Sequence, residues 1–148
     1  MPITRAGLMV FCSSIAPTQL GLDPKIYYTW NESDGKYRQI WTAEMNVDGT
    51  GWNATKRTST FFDKFEPQVQ VIDDTIYFVW RESDGAHFQI WTGLVNRDGT
   101  GWQASKRTTT PFDKHNPQLE VQGGKIYLTW HEARGRSIAE ENSNAPLP

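Results

Sequence analysis

The chain repeats itself at an interval of 50 residues: Trp30, Trp80 and Trp130 keep it, as do Trp41 and Trp91, Trp52 and Trp102, and Pro17, Pro67 and Pro117. Aligning 25–67 with 75–117 gives 26 identities in 43 positions without a gap. A period this long and regular means one supersecondary unit used in tandem. A single unit of that size cannot bury its own apolar faces, so the units must stack on one another. The fold question therefore reduces to the identity of the unit.

The central copy supplies the answer. Gln68-Val69-Gln70-Val71 alternates polar and apolar, and Asp73-Asp74 turns the chain. Ile76-Tyr77-Phe78-Val79-Trp80 is a β-branched and aromatic run ended by Ser83-Asp84-Gly85, a hairpin signal. Phe88 to Val95 forms a third strand, Asp98-Gly99-Thr100-Gly101 a second tight turn, and Trp102 to Thr108 a fourth strand. No helical period runs through any of this. Four short strands in a meander, repeated in tandem, predict an all-β fold of β-propeller blades. In Lys25-Ile26-Tyr27-Tyr28-Thr29-Trp30 both strand faces carry apolar or aromatic groups, which suits a sheet covered on both sides. A sandwich or a solenoid is the alternative, but a sandwich strand with one wet face would alternate more cleanly.

The units do not fill a ring. Residues 17–66 are expected as one blade, 67–116 as a second, and 117–132 as the first half of a third, about 2.5 blades in all. The polar stretch 133–148 is expected as a disordered tail. Propellers have about four to eight blades. Either chains assemble to close the ring, most simply as a homo-oligomeric dimer of five or six blades, or the chain is a piece of a longer protein. The segment 1–16 holds the short apolar stretch Ala6 to Cys12 and reads either as a degenerate secretory signal or as a strand. In the second case Leu8 to Ser13 is placed to complete the third blade, in the same or a partner chain.

Composition removes several functions. With 15 basic and 17 acidic residues the net charge is −2, so no basic field attracts nucleic acid or an anionic membrane. No apolar run is long enough to span a bilayer. Cys12 is the only cysteine, which excludes an intrachain disulfide and a cysteine-based zinc site. His87, His115 and His131 lack ligand spacing, so neither a metal nor another cofactor is expected.

The strings Asn46-Val47-Asp48-Gly49-Thr50-Gly51-Trp52 and Asn96-Arg97-Asp98-Gly99-Thr100-Gly101-Trp102, with the Ile-Tyr-x-x-Trp and Gln-Ile-Trp-Thr runs before them, resemble the blades of sialidase-like, Asp-box propellers over residues 17–132. Both turns are one residue shorter than the family pattern and carry Asn in place of its first Ser. The resemblance implies an architectural turn in which Asp48 and Asp98 accept backbone N–H bonds and Trp52 and Trp102 pack between strands. It also implies a secreted or periplasmic setting. None of the family's catalytic residues can be matched here. A looser likeness is to the two-bladed fucose-binding lectins, which share the Asp-Gly-x-Gly-Trp turn and close a ring by assembling.

In such a fold the strand 2–3 turns and the linkers from strand 4 to the next strand 1 lie at one end, and they concentrate charge with aromatics. That is the composition of a polar-ligand or sugar site. Asn31, Arg81 and His131 occupy one equivalent position yet differ, so they are candidates for specificity. Glu32, Glu82 and Glu132 recur one residue later, and Lys64, Lys114 and His115 lie on the linkers; all six join the candidate ligand set. Hairpin capping or pairing between blades is the competing reading of the three glutamates. The other end is expected to carry turn residues only. Lys56-Arg57 and Lys106-Arg107 fall on the outermost strand, where charge guards against edge-to-edge pairing. Near-identical units suit a repeated binding function. The expectation is therefore a non-enzymatic, glycan-binding propeller module, with a glycosidase of the sialidase type or a protein-interaction scaffold as alternatives.

Overall fold

The computed structural model describes residues 12–15, 24–134 and 141–146, which form eleven strands. They are β1 (Cys12–Ile15), β2 (Lys25–Ser33), β3 (Arg38–Asn46), β4 (Asn53–Lys56), β5 (Lys64–Ile72), β6 (Thr75–Ser83), β7 (Phe88–Asn96), β8 (Gln103–Lys106), β9 (Lys114–Gln122), β10 (Lys125–Glu132) and β11 (Glu141–Pro146). Three antiparallel sheets result, in the orders β1-β2-β3-β4, β5-β6-β7-β8 and β11-β10-β9. The register repeats with the sequence: Trp30 faces Trp41 in the first sheet as Trp80 faces Trp91 in the second.

Turn chemistry fixes these registers. Between β2 and β3, Asp34 Oδ1 accepts the N–H groups of Lys36 and Tyr37, and Asp84 does the same for Ala86 and His87. These bonds hold both carboxyls well below the usual carboxylate range, the Tyr37 N–H leading for Asp34 and the His87 N–H for Asp84. Between β3 and β4, Asp48 takes the backbone N–H and hydroxyl of Thr50, as Asp98 does for Thr100. Gly51 then sits at φ 72°, where an added Cβ would come within 2.7 Å of Asn46 Nδ2.

Side chains of a strand alternate between faces, so each sheet has two. Tyr27 and Ile40 of the first sheet pack on Val69, Phe78 and Trp80 of the second. Val79 and Ile90, on the reverse of the second sheet, pack on Leu119, Ile126 and Leu128 of the third. The middle sheet is thus buried on both sides, as its doubly apolar strands require, and the fold is β-propeller-like.

The two ends depart from the expected boundaries. The first sheet's opening strand is Cys12–Ile15, running from Cys12 opposite Thr29 to Ile15 opposite Ile26. It therefore completes the first sheet and not the third. Residues 1–11 and 16–23, including any strand just after Pro17, lie outside the described residues. At the other end, Glu141–Pro146 was expected as disordered tail but pairs with β10, Trp130 facing Ser143. The third sheet accordingly has three strands where a two-stranded half was expected. A central strand such as β10 offers a row of N–H and C=O groups on each edge, and even a polar segment satisfies them. Residues 135–140 and 147–148 lie outside the described residues. β5 and β9 also begin earlier than the alternation suggested, passing through a bulge where Glu66 and Asn116 adopt φ 56° and 51°.

Candidate functional site at the linker end of the sheets

The linker that follows β4 is sewn to both neighbouring sheets. Thr58 Oγ1 donates to Gln39 Oε1 at 2.7 Å, and Gln39 Nε2 donates to the Thr60 carbonyl at 2.9 Å. Asp63 Oδ1 accepts the Arg38 N–H at 2.7 Å, while the Asp63 carbonyl accepts the Ser83 N–H. The same bonds recur one repeat later through Thr108, Gln89, Thr110 and Asp113.

A linker crossing a sheet end leaves carbonyls without strand partners, and a buried lysine meets that need. Lys64 is fully buried, its Nζ donating to the carbonyls of Thr60, Phe61 and Phe62 at 3.3, 3.3 and 2.7 Å and lying 3.5 Å from Glu82 Oε1. Glu82 in turn accepts Trp80 Nε1 and Thr60 Oγ1. Lys114 repeats the arrangement with Thr110, Phe112 and Glu132, the last at 3.4 Å. Burial lowers the pKa of Lys64, with the charge of Glu82 opposing. Burial would raise that of Glu132, but the Thr110 hydroxyl, Lys114 and Arg134 outweigh it and the net shift is downward.

Lys64, Lys114, Glu82 and Glu132 were expected in the ligand set; they are buried struts, and a ligand would have to unpack the linker to reach them. Glu32 differs. It accepts Trp30 Nε1 but is exposed, and the position one repeat before Lys64 is Ser14.

What remains at this end is a ladder of cations and rings. Arg81 lies 4.4 Å from the Phe88 ring centre and 5.2 Å from that of Phe65, with Arg38 at 6.0 Å from Phe65. Arg81 Nε is 3.0 Å from Glu66 Oε2, and its Nη1 is 3.3 Å from His115 Nδ1. Glu66 also accepts the Asn116 N–H at 2.7 Å. Asn31 Oδ1 accepts from Arg38 Nη1 at 2.9 Å, and His131 faces His115 across β9 and β10. Nearby, Phe61 is 69 % exposed and meets the Tyr37 ring edge-on.

The structure therefore gathers Asn31, Arg81, His115 and His131 along one rim of adjoining sheets. Arg38, Phe65, Glu66 and Phe88 belong to the same rim and were missed, although the sequence held a signal: Arg38 aligns with Phe88, and Phe65 with His115. At the other end, Trp102 stacks on Trp80 while Trp52, stacked on Trp30, is 54 % exposed. Among the described residues no cluster of His, Cys, Asp or Glu is arranged to hold a metal ion, and no helix is long and apolar enough to cross a membrane.

No family model and no curated protein sequence matches the chain. Among solved structures it is similar to an endo-arabinase from Bacteroides thetaiotaomicron, a β-propeller protein, with a TM-score of 0.54 and 14 % identity. The match covers 92 % of this chain and 55 % of that one, so the chain spans little more than half the length of its structural neighbour. At this identity the likeness establishes the fold alone.

Proposed function

We propose that the chain is a carbohydrate-binding β-propeller module of the sialidase-like type, working as a homo-oligomer and not as an enzyme. The observation that carries this reading is the rim of Arg38, Phe65, Arg81 and Phe88, flanked by Glu66 and His115. Rings supply stacking surface, and the charged groups between them supply hydrogen bonds to hydroxyls. The carboxylates of this end favour binding over hydrolysis. Glu82 and Glu132 are buried on lysines, Glu66 is paired with Arg81, Glu32 accepts Trp30 Nε1, and Asp34, Asp63, Asp84 and Asp113 accept bonds from turn or strand N–H groups. A glycosidase needs two carboxyls facing one another across the scissile bond. The propeller neighbour, an endo-arabinase, makes hydrolysis the second reading.

The test is a glycan array followed by calorimetric titration of the best ligand into wild type and Arg81→Ala. Loss of about tenfold or more in affinity is expected, since a desolvated charged hydrogen bond and a cation–π contact disappear together. Turnover of an arabinose-containing polysaccharide by the wild-type chain would instead establish the hydrolase. Absence of any glycan binding would sink the carbohydrate reading.

A further inference from the structure

Between the first and second sheets, at the end opposite the rim, lies a cavity of about 240 Å³ lined by Tyr27, Arg57, Phe78 and Arg97, with Glu44 and Asp98 at its wall. Arg97 stands in the β7–β8 turn. Its Nε donates to the Tyr27 hydroxyl at 3.3 Å, and its Nη1 is buried without a hydrogen-bond partner. Arg57 follows β4; its Nε donates to Thr42 Oγ1 at 2.8 Å and its guanidinium lies 5.4 Å from the Trp102 ring centre. Among the described residues no carboxylate oxygen is within ion-pair distance of either guanidinium. Glu44 is held 3.3 Å from Lys25 and its charge also acts on Arg57 through space, while Asp98 is taken up by Thr100.

Two guanidinium groups thus converge on one cavity with donors to spare. A buried N–H without a partner costs free energy unless a ligand supplies the acceptor. The repeat shows that Arg97 is not there for its own turn. Val47 occupies the equivalent position in a turn of otherwise identical sequence, closed by the same Asn-to-Thr backbone bond at 2.9 Å. What differs is the surroundings: Arg97 faces the first sheet across the cavity, whereas Val47 is 53 % exposed.

We infer that this cavity binds the carboxylate of an acidic sugar, received in fork geometry by Arg57 and Arg97 beside the Tyr27 hydroxyl. Carboxylate suits two planar guanidinium groups because each accepts paired N–H bonds. The neighbouring Asn53 and Thr55 supply polar groups for ring hydroxyls, and Phe78 supplies an apolar wall. The inference rests on the carbohydrate reading and narrows it to uronate-bearing glycans at a site separate from the rim.

The experiment is calorimetric titration of a galacturonate trimer and of a neutral galactose trimer, at low and high salt. It uses wild type, Arg97→Val, Arg57→Gln and, as a control outside the cavity, Arg107→Gln. Thermal unfolding checks that each variant folds; because Arg97→Val copies the sister turn and Arg57→Gln changes a different element, one serves if the other fails. Salt-sensitive binding of the galacturonate, weakened about tenfold in Arg97→Val and in Arg57→Gln but not in Arg107→Gln, is the expected result. Galacturonate binding that ignores both cavity substitutions overturns the assignment. So does binding of the neutral trimer alone, which leaves the rim reading standing. Binding of neither trimer overturns the cavity assignment, while the glycan array decides the broader reading separately.

Discussion

At the scale of single residues, the strongest effects belong to the buried lysine–glutamate pairs. Lys114 and Glu132 are almost fully removed from solvent, so each charge depends on its partner. Glu132→Gln keeps the shape and removes the charge. At neutral pH it should cost about 1–3 kcal/mol, the range for a charged hydrogen bond lost in a buried site. The pH dependence follows from the downward shift of Glu132. A carboxyl with a lowered folded pKa stabilises the fold above its unfolded value and loses that contribution as pH falls through the folded one. Urea denaturation of both proteins should therefore show the gap between them closing on acidification below pH 4.5, the ordinary value of the group. A gap that stayed constant down to pH 3 would mean that the charge of Glu132 does not contribute. Lys64 shifts stability in the same direction but in an alkaline window, because its burial disfavours the charged form. Its folded pKa lies below its ordinary 10.5, so the folded state binds fewer protons and stability rises with pH through that window.

At the scale of elements, β7 carries the tightest constraint. A Cβ on Gly93 would fall 2.5 Å from Trp102 Cη2 and 3.0 Å from Trp80 Cζ3, between two stacked indoles that the first sheet covers through Arg57. Gly93→Ala should destabilise by about 1–3 kcal/mol through overpacking. The sister position is already Ala43, beside a Trp52 that is 54 % exposed; Ala43→Gly should cost only about 0.5–1 kcal/mol, the loss expected for glycine within a strand. Equal effects at the two positions, measured by denaturant midpoints, would refute the asymmetry.

The elements also show what the sequence could and could not tell. The meanders were legible because Asp-Gly turns and aromatic strand runs act locally, and Trp30, Trp80 and Trp130 fixed their spacing. For β1 the sequence offered a strand but the wrong partner, the third sheet in place of the first, and β11 was not legible at all: a strand added to an open edge is held by backbone groups, and Ser13-Ser14 or Asn142-Ser143-Asn144 need no apolar pattern to do it. Lys64 and Lys114 read as ligand-facing charges on the linkers because lysine is so seldom buried; only the paths of the linkers show carbonyls that require them. Arg97 was passed over because its turn looked purely architectural, although its departure from Val47 was visible in the repeat.

At the scale of the whole molecule, the two internal interfaces define a direction. Each joins the Tyr27- or Val79-bearing face of one sheet to the Trp80- or Leu128-bearing face of the next. The first sheet keeps its own Trp30-bearing face, with Tyr28, Trp41 and the exposed Trp52, outside both of these interfaces. That face presents to a newcomer what Phe78, Trp91 and Trp102 present to the first sheet. A contact of unlike faces is heterologous, and copies joined in this way form a closed ring when the rotation permits. The assembly reading therefore predicts that light scattering on a size-exclusion column gives a discrete dimer, and that Trp52→Glu shifts it to monomer with the thermal transition otherwise retained. Burying an unpaired carboxylate against an aromatic face is costly, so one substitution at the centre of such a contact suffices. A wild-type monomer would overturn assembly through this face, and a dimer indifferent to Trp52→Glu would place the contact elsewhere. Either result leaves the rim and the cavity intact as sites within one chain, because every residue named for them lies on the three sheets of a single copy or in the turns and linkers that join their strands.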